Sequence, residues 1–187
     1  MTTGPRAPER PTISFPGRVH LILKDQDLLK IDLGANKVLG FDTETRPSFN
    51  KGEVYKVALL QLSTDTDAFL IRLQHVTQFQ ILKDIFERKD VLKVGVAIHD
   101  DLRVLQKAFR FTPQGFVELQ SLAKQKGLKN LGLKGMTEEV LGASLSKRSK
   151  LTNWEALVLS EQQLLYAATD AWIGLTIYRK LIEKHEV

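Results

Sequence analysis

Apolar residues recur along this chain in two rhythms, and the switches between them outline a mixed α/β fold. Residues 18–23 alternate polar and apolar as a half-buried strand does, and Asp25 is placed to cap a short helix behind it. Residues 38–43, 54–63 and 66–73 are rich in β-branched and apolar side chains, with turn-forming segments at 47–52 and 64–65 between them. Such short connections predict an antiparallel meander.

Beyond the meander the period lengthens. Phe79, Leu82, Ile85 and Phe86 return at helical spacing, and residues 91–98 form a near-continuous apolar run, the pattern of a strand covered on both faces. A helix therefore crosses between strands. Leu102, Leu105 and Phe109 continue as a helix, residues 116–119 suit a short fifth strand, and helices dominate from residue 121. Ser160 followed by Gln163 forms a capping box that opens a long helix, its apolar face including Leu164, Ala168, Leu175 and Ile182. The expectation is a mixed five-stranded sheet flanked by helices. Residues 1–12 hold Pro5, Pro8 and Pro11 with little apolar content and read as a disordered tail, leaving residues 13–187 as one domain.

Composition narrows the setting. A chain of 187 residues with 43% hydrophobic content suits one core. The absence of cysteine excludes disulfides and thiolate metal sites and is compatible with a reducing compartment. The first twenty residues lack an apolar signal core, and no run approaches the roughly 18 apolar residues of a membrane helix, so a cytoplasmic location is expected. The net charge of +5 is concentrated: residues 124–150 carry seven Lys/Arg against two Glu, while the remainder balances at 20 against 20. A basic segment favours a polyanion by releasing condensed counterions, which points to nucleic acid, although a solvated face explains lysines equally well.

The chemistry lies in four carboxylates and a tyrosine. Asp42 and Glu44 stand in V-L-G-F-D-T-E-T, Asp101 in V-G-V-A-I-H-D-D-L, and Tyr166 with Asp170 in L-L-Y-A-A-T-D-A. Residues i and i+2 of a strand share a face, roughly 6.6 Å apart, so Asp42 and Glu44 can hold one cation at an exposed strand end. Tyr166 and Asp170, at i and i+4, sit one helical turn apart on one face. Converging buried carboxylates repel one another and lose solvation, and a fold tolerates them mainly where cations neutralise them. A D-x-E pair is common by chance; its place at the end of a buried strand is what carries information.

The segments F-D-T-E-T, V-G-V-A-I-H-D-D-L and Q-L-L-Y-A-A-T-D-A-W resemble the three motifs of the DEDDy 3′–5′ exonucleases, in particular the Werner syndrome exonuclease domain and, more distantly, ribonuclease D. The resemblance spans residues 13–183, and Q-L-S after the second meander strand and S-K-x-x-N-W before the last helix also match. It implies a ribonuclease H-like fold and hydrolysis of phosphodiester bonds from a 3′ end, releasing nucleoside 5′-monophosphates. In histidine-containing relatives a His stands five residues before the final Asp; here that position is Leu165, and Tyr166 takes the tyrosine role.

Two divalent cations are implied, and all-oxygen ligation suits Mg²⁺ or Mn²⁺. By the resemblance, Asp42 bridges both ions, Glu44 and Asp170 complete the first site, Asp101 holds the second ion through water, and Tyr166 orients the attacking water. A phenol with an unperturbed pKa of about 10 is a poor base at neutral pH, so positioning is its expected task. Asp101 is chosen over Asp100 because the family ligand directly precedes a leucine, here Leu102. Lys147, Arg148 and Arg46 are expected to contact substrate phosphates, and Trp154 is read either as core under the last helix or as the floor near the 3′ nucleotide.

An active exonuclease competes with a catalytically silent nucleic-acid-binding module and with an endonuclease of the wider ribonuclease H-like group. The full set of carboxylates argues against silence, and the tyrosine motif against an endonuclease. The Werner-like motifs favour DNA over RNA, and the lack of helicase motifs implies that a partner supplies unwinding.

Overall fold

The computed structural model describes residues 9–45, 52, 55–146 and 152–183. The meander forms as its short turns require: β3 (Val38–Thr45), β4 (Val57–Ser63) and β5 (Asp67–Arg72) pair antiparallel in sequence order. β4 is buried at all seven positions, because it runs through the middle of the sheet with helices on both faces. Among the described residues the sheet has six strands rather than the expected five. β2 (Arg18–Ile22) adds parallel to β5, and β6 (Leu92–Gly95) and β7 (Phe116–Glu118) extend the other side in the order β2-β5-β4-β3-β6-β7. The alternation at residues 18–23 announces a strand, but its partner lies far away in sequence.

One face of the sheet carries α2 (Gln80–Phe86) and α3 (Ile98–Ala108) over a core of Phe41, Leu60, Leu62 and Phe86. The opposite face carries the long α6 (Glu161–Glu183), packed over Ala58, Leu59 and Leu70. The capping box that opens α6 is present: Gln163 N–H donates to Ser160 Oγ at 3.2 Å, and Ser160 N–H to Gln163 Oε1 at 2.9 Å. Of the apolar face read for this helix, Ala168 and Leu175 are buried, but Ile182 is 41% exposed and Leu181 packs inward in its place. Gly40 sets how closely α6 approaches the sheet. A β-carbon there would lie 2.0 Å from the Ala171 carbonyl oxygen, so only glycine lets the helix settle onto β3.

Several expected elements are shorter or capped differently. The apolar run at 91–98 yields a strand only to Gly95, because Ala97 adopts a left-handed conformation (φ 56°) that turns the chain into α3. Asp25 lies inside α1 (Asp25–Leu28) rather than capping it. Its carboxylate accepts from the Thr77 and Gln78 N–H groups at 2.7 and 2.9 Å, which pins the approach to α2. The region after residue 121 contains α4 (Leu119–Gln125), α5 (Leu133–Met136) and a π-helical turn at Thr137–Leu141, then an unforeseen β8 (Ser144–Leu145). β8 pairs in parallel with β1 (Thr12–Ile13), and Arg10 meets Glu138 at 3.2 Å, so residues 10–13 lie against the domain.

Candidate active site

β3 and α6 together build the acidic cluster. Residues 40, 42 and 44 share the face on which Gly40 meets α6, so Asp42 and Glu44 point toward that helix. One carboxylate oxygen each from Asp42, Glu44 and Asp170 lies within 4.8 Å of the other two, all three residues half-buried. β3 pairs with β6 only as far as Gly40↔Val94, while its pairing with β4 continues through a bulge after Glu44. The strand end that carries both acids is thereby left open on the β6 side.

Asp101 enters through that opening from the first turn of α3. Thr43 Oγ1 donates to Asp101 Oδ1 at 2.8 Å, holding it beside β3 but outside the closest trio. Its neighbour Asp100 has 85% of its side chain exposed and pairs with Arg103 at 3.2 Å, one turn along the same helix. On α6, Tyr166 is half-buried and hydrogen-bonds Asp170.

The electrostatics are those of crowded acids. Burial pushes the Asp42 carboxyl well above the usual range, with Glu44, Asp170 and Asp101 adding to the shift. Glu44 is raised to about 8 by burial and then by Asp170 and Asp101. Asp101 is raised to about 6, again mainly by burial, against the opposing hydrogen bond from Thr43. Tyr166 is pushed above its ordinary value by burial and by Asp170, so its phenol stays neutral and can donate. Asp42 and Glu44, held back from ionising beside the Asp170 carboxylate, form the oxygen donor set that a hard divalent cation satisfies.

Asp42, Glu44, Asp101, Tyr166 and Asp170 thus come together. Trp154 does not join them as a nucleotide contact. It is 1% exposed and packs against Tyr166 at a ring separation of 6.2 Å, so its faces are used up in the core beneath the helix. Arg46, Lys147 and Arg148 lie outside the described residues. Two residues near the cluster had no individual reading from sequence. Gln61, fully buried opposite Asp42 on β4, donates to the Asp42 and Leu59 carbonyls at 3.1 Å each when its amide is oriented to satisfy both, stiffening the strand under the acids. Lys134 lines a hollow of about 440 Å³ that Tyr166 and Asp170 also line, with its ammonium 3.9 Å from Glu138. The Q-L-S motif marks Gln61, whereas nothing local distinguishes Lys134 from the other lysines of the basic stretch.

Residues 23–186 match the 3′–5′ exonuclease domain family. The chain belongs to the 3′–5′ exonuclease family. It is 34% identical over 183 residues to the mouse bifunctional 3′–5′ exonuclease/ATP-dependent helicase WRN, covering 91% of this chain and 13% of that protein. It is 33% identical over 194 residues to an Arabidopsis thaliana 3′–5′ exonuclease, covering 94% of this chain and 67% of the relative. Among solved structures, the Aedes aegypti Nibbler exonuclease domain superposes with a TM-score of 0.80 at 26% identity, covering 89% of this chain and 88% of that one. Escherichia coli RNase D, an exoribonuclease involved in structured RNA processing, gives 0.79 at 29% identity over 89% of this chain and 44% of its own. The fold is therefore the ribonuclease H-like fold of these exonuclease domains. Among the described residues no helix is long and apolar enough to cross a membrane.

Proposed function

We propose that this exonuclease removes nucleotides from the 3′ end of DNA by a two-metal-ion reaction centred on Asp42, Glu44, Asp101 and Asp170. The observation that carries this reading is the approach of three carboxylate oxygens to within 4.8 Å in a site where burial opposes the ionisation of Asp42 and Glu44. Asp42, central to the repulsion, would face both cations; Glu44 and Asp170 would hold the first and Asp101 the second. Divalent cations bound there would activate a water molecule and neutralise the leaving 3′ oxygen. Tyr166, neutral and anchored by Asp170, would present its hydroxyl to that water and fix its line of attack. Lys134 would meet a substrate phosphate from the adjoining hollow, joined by Lys147, Arg148 and Arg46.

The DNA reading rests on the resemblance of the motifs to the Werner exonuclease domain, and identity to the WRN relative extends over 91% of the chain at 34%, against 79% at 31% for the ribonuclease D of Cronobacter turicensis. The likeness to E. coli RNase D supports RNA as the competing substrate. Matched single-stranded DNA and RNA, labelled in turn at each end and incubated with and without Mg²⁺ or Mn²⁺, separate the two. Faster shortening of DNA from its 3′ end is the expected result, and preferential degradation of RNA would overturn the substrate assignment.

A further inference from the structure

Asp101 rides on the first turn of α3, and the start of that helix is held by a residue from a different strand. Glu118, the last residue of β7, places its carboxylate under the turn between β6 and α3. Ala97 N–H donates to Glu118 Oε1 at 2.9 Å and Ile98 N–H to Oε2 at 2.8 Å. Oε1 also accepts from Gln120 N–H at 3.1 Å, so one side chain joins the starts of α3 and α4. The carboxylate works from a firm base, since β7 pairs with β6 at Gly95↔Glu118, two residues before the turn that it clamps.

The turn needs a clamp. Ala97 is the one non-glycine residue with positive φ among the described residues, at 56°, and a β-carbon stays in the left-handed region only where its surroundings over-determine the backbone. Released, the turn would relax toward ordinary backbone angles and swing the first turn of α3. That turn delivers Asp101 to Thr43 Oγ1 and to the open end of β3. Misplacement of a reacting group by about 1 Å can cost roughly 100-fold in rate.

We propose that Glu118 is a positioning residue of the exonuclease site, acting through Ala97 and Ile98 to set where Asp101 stands relative to Asp42. This rests on the exonuclease reading above. Glu118→Gln tests it: the amide keeps the size of the side chain but turns one of its two acceptors into a donor facing an N–H group. With Mn²⁺ titrated against a 5′-labelled strand, the variant should lose about 10–100-fold in kcat and need more metal for half its maximal rate, while KM stays near wild type. A merely structural cap would lower the melting temperature and leave the metal response unchanged. Ala97→Gly, which adopts the turn without strain, should restore part of the lost rate in the Glu118→Gln background.

Hydrogen exchange on the wild-type protein gives a reading independent of whether any variant folds, and the Ala97 and Ile98 amides should exchange slowly. A folded Glu118→Gln protein with wild-type kcat and metal response overturns the proposal, as does free-peptide exchange at both amides. If the wild type itself shows no metal-dependent trimming, the exonuclease reading falls and takes this inference with it. Loss confined to the variant cannot be mistaken for that.

Discussion

Asp100 and Asp101 are adjacent and chemically identical, yet the fold sends them to different environments. Asp101 takes a hydrogen bond from Thr43 and is raised to about 6 by burial; Asp100 faces solvent and pairs with Arg103. An exposed pair of this kind contributes little. Asp101→Asn should therefore lower the cleavage rate by several orders of magnitude and Asp100→Asn by less than about threefold, measured as kcat/KM on one labelled strand. The opposite ranking would move the ligand by one residue. Tyr166 makes a second contrast. Tyr166→Phe keeps the packing on Trp154 and deletes only the hydroxyl, so single-turnover cleavage should fall about 10–1000-fold with substrate affinity intact. Excess Mn²⁺ should partly rescue Asp170→Asn, a weakened ligand, but not the phenylalanine variant. At this scale the sequence was informative, since i,i+2 on a strand and i,i+4 on a helix are local geometries that residue spacing encodes. What it could not disclose are the partners that arrive from elsewhere: Thr43 reaching an acid 58 positions away, or Gln61 placed opposite Asp42 by strand register.

Between elements, the decisive contact is α6 on β3, because it alone brings Asp170 to Asp42 and Glu44. Gly40 is the point of closest approach, with the Ala171 carbonyl and Ser63 Oγ both inside the space that a β-carbon would occupy. Gly40→Ala should force the helix away from the strand and cost about 1–3 kcal/mol, the range for overpacking a tight interior. Activity should fall further than stability predicts, because the displaced helix carries two site residues; a variant with normal activity and melting temperature would show that the contact is not needed. Long elements with a clear period were legible: the meander, the crossing helix and the capped final helix all stand where apolar spacing put them. The two-residue ribbon of β1 and β8 was not, because a strand that short leaves no period to read. The partner of β2 and the end of β6 at a left-handed alanine likewise depend on tertiary contacts.

For the molecule as a whole, the acidic cluster opposes folding until something neutralises it. Glu44 and Asp101 titrate at about 8 and about 6 in the folded, metal-free protein, above their ordinary values of 4.5 and 3.8. The folded state thus holds protons that the unfolded chain has already released, and the stability gained from them is lost as pH rises from about 4 to about 8. Metal-free protein should therefore melt lower at pH 8 than at pH 5.5, and Mg²⁺ or Mn²⁺ should raise the midpoint more at pH 8. A gap of at least about 2–4 °C corresponds to 1 kcal/mol in a domain of this size. Equal metal effects at both pH values would contradict a metal site built from these acids. The central claim, that the trio drives trimming from a 3′ end, is tested most directly by following a 5′-labelled DNA strand with Mn²⁺ on wild type and Asp42→Ala, each checked for folding by circular dichroism. The wild type should produce a ladder shortening one nucleotide at a time, and the variant, folded, should leave the strand intact. Activity of Asp42→Ala within about tenfold of wild type, or cutting that begins inside the strand, would contradict the account.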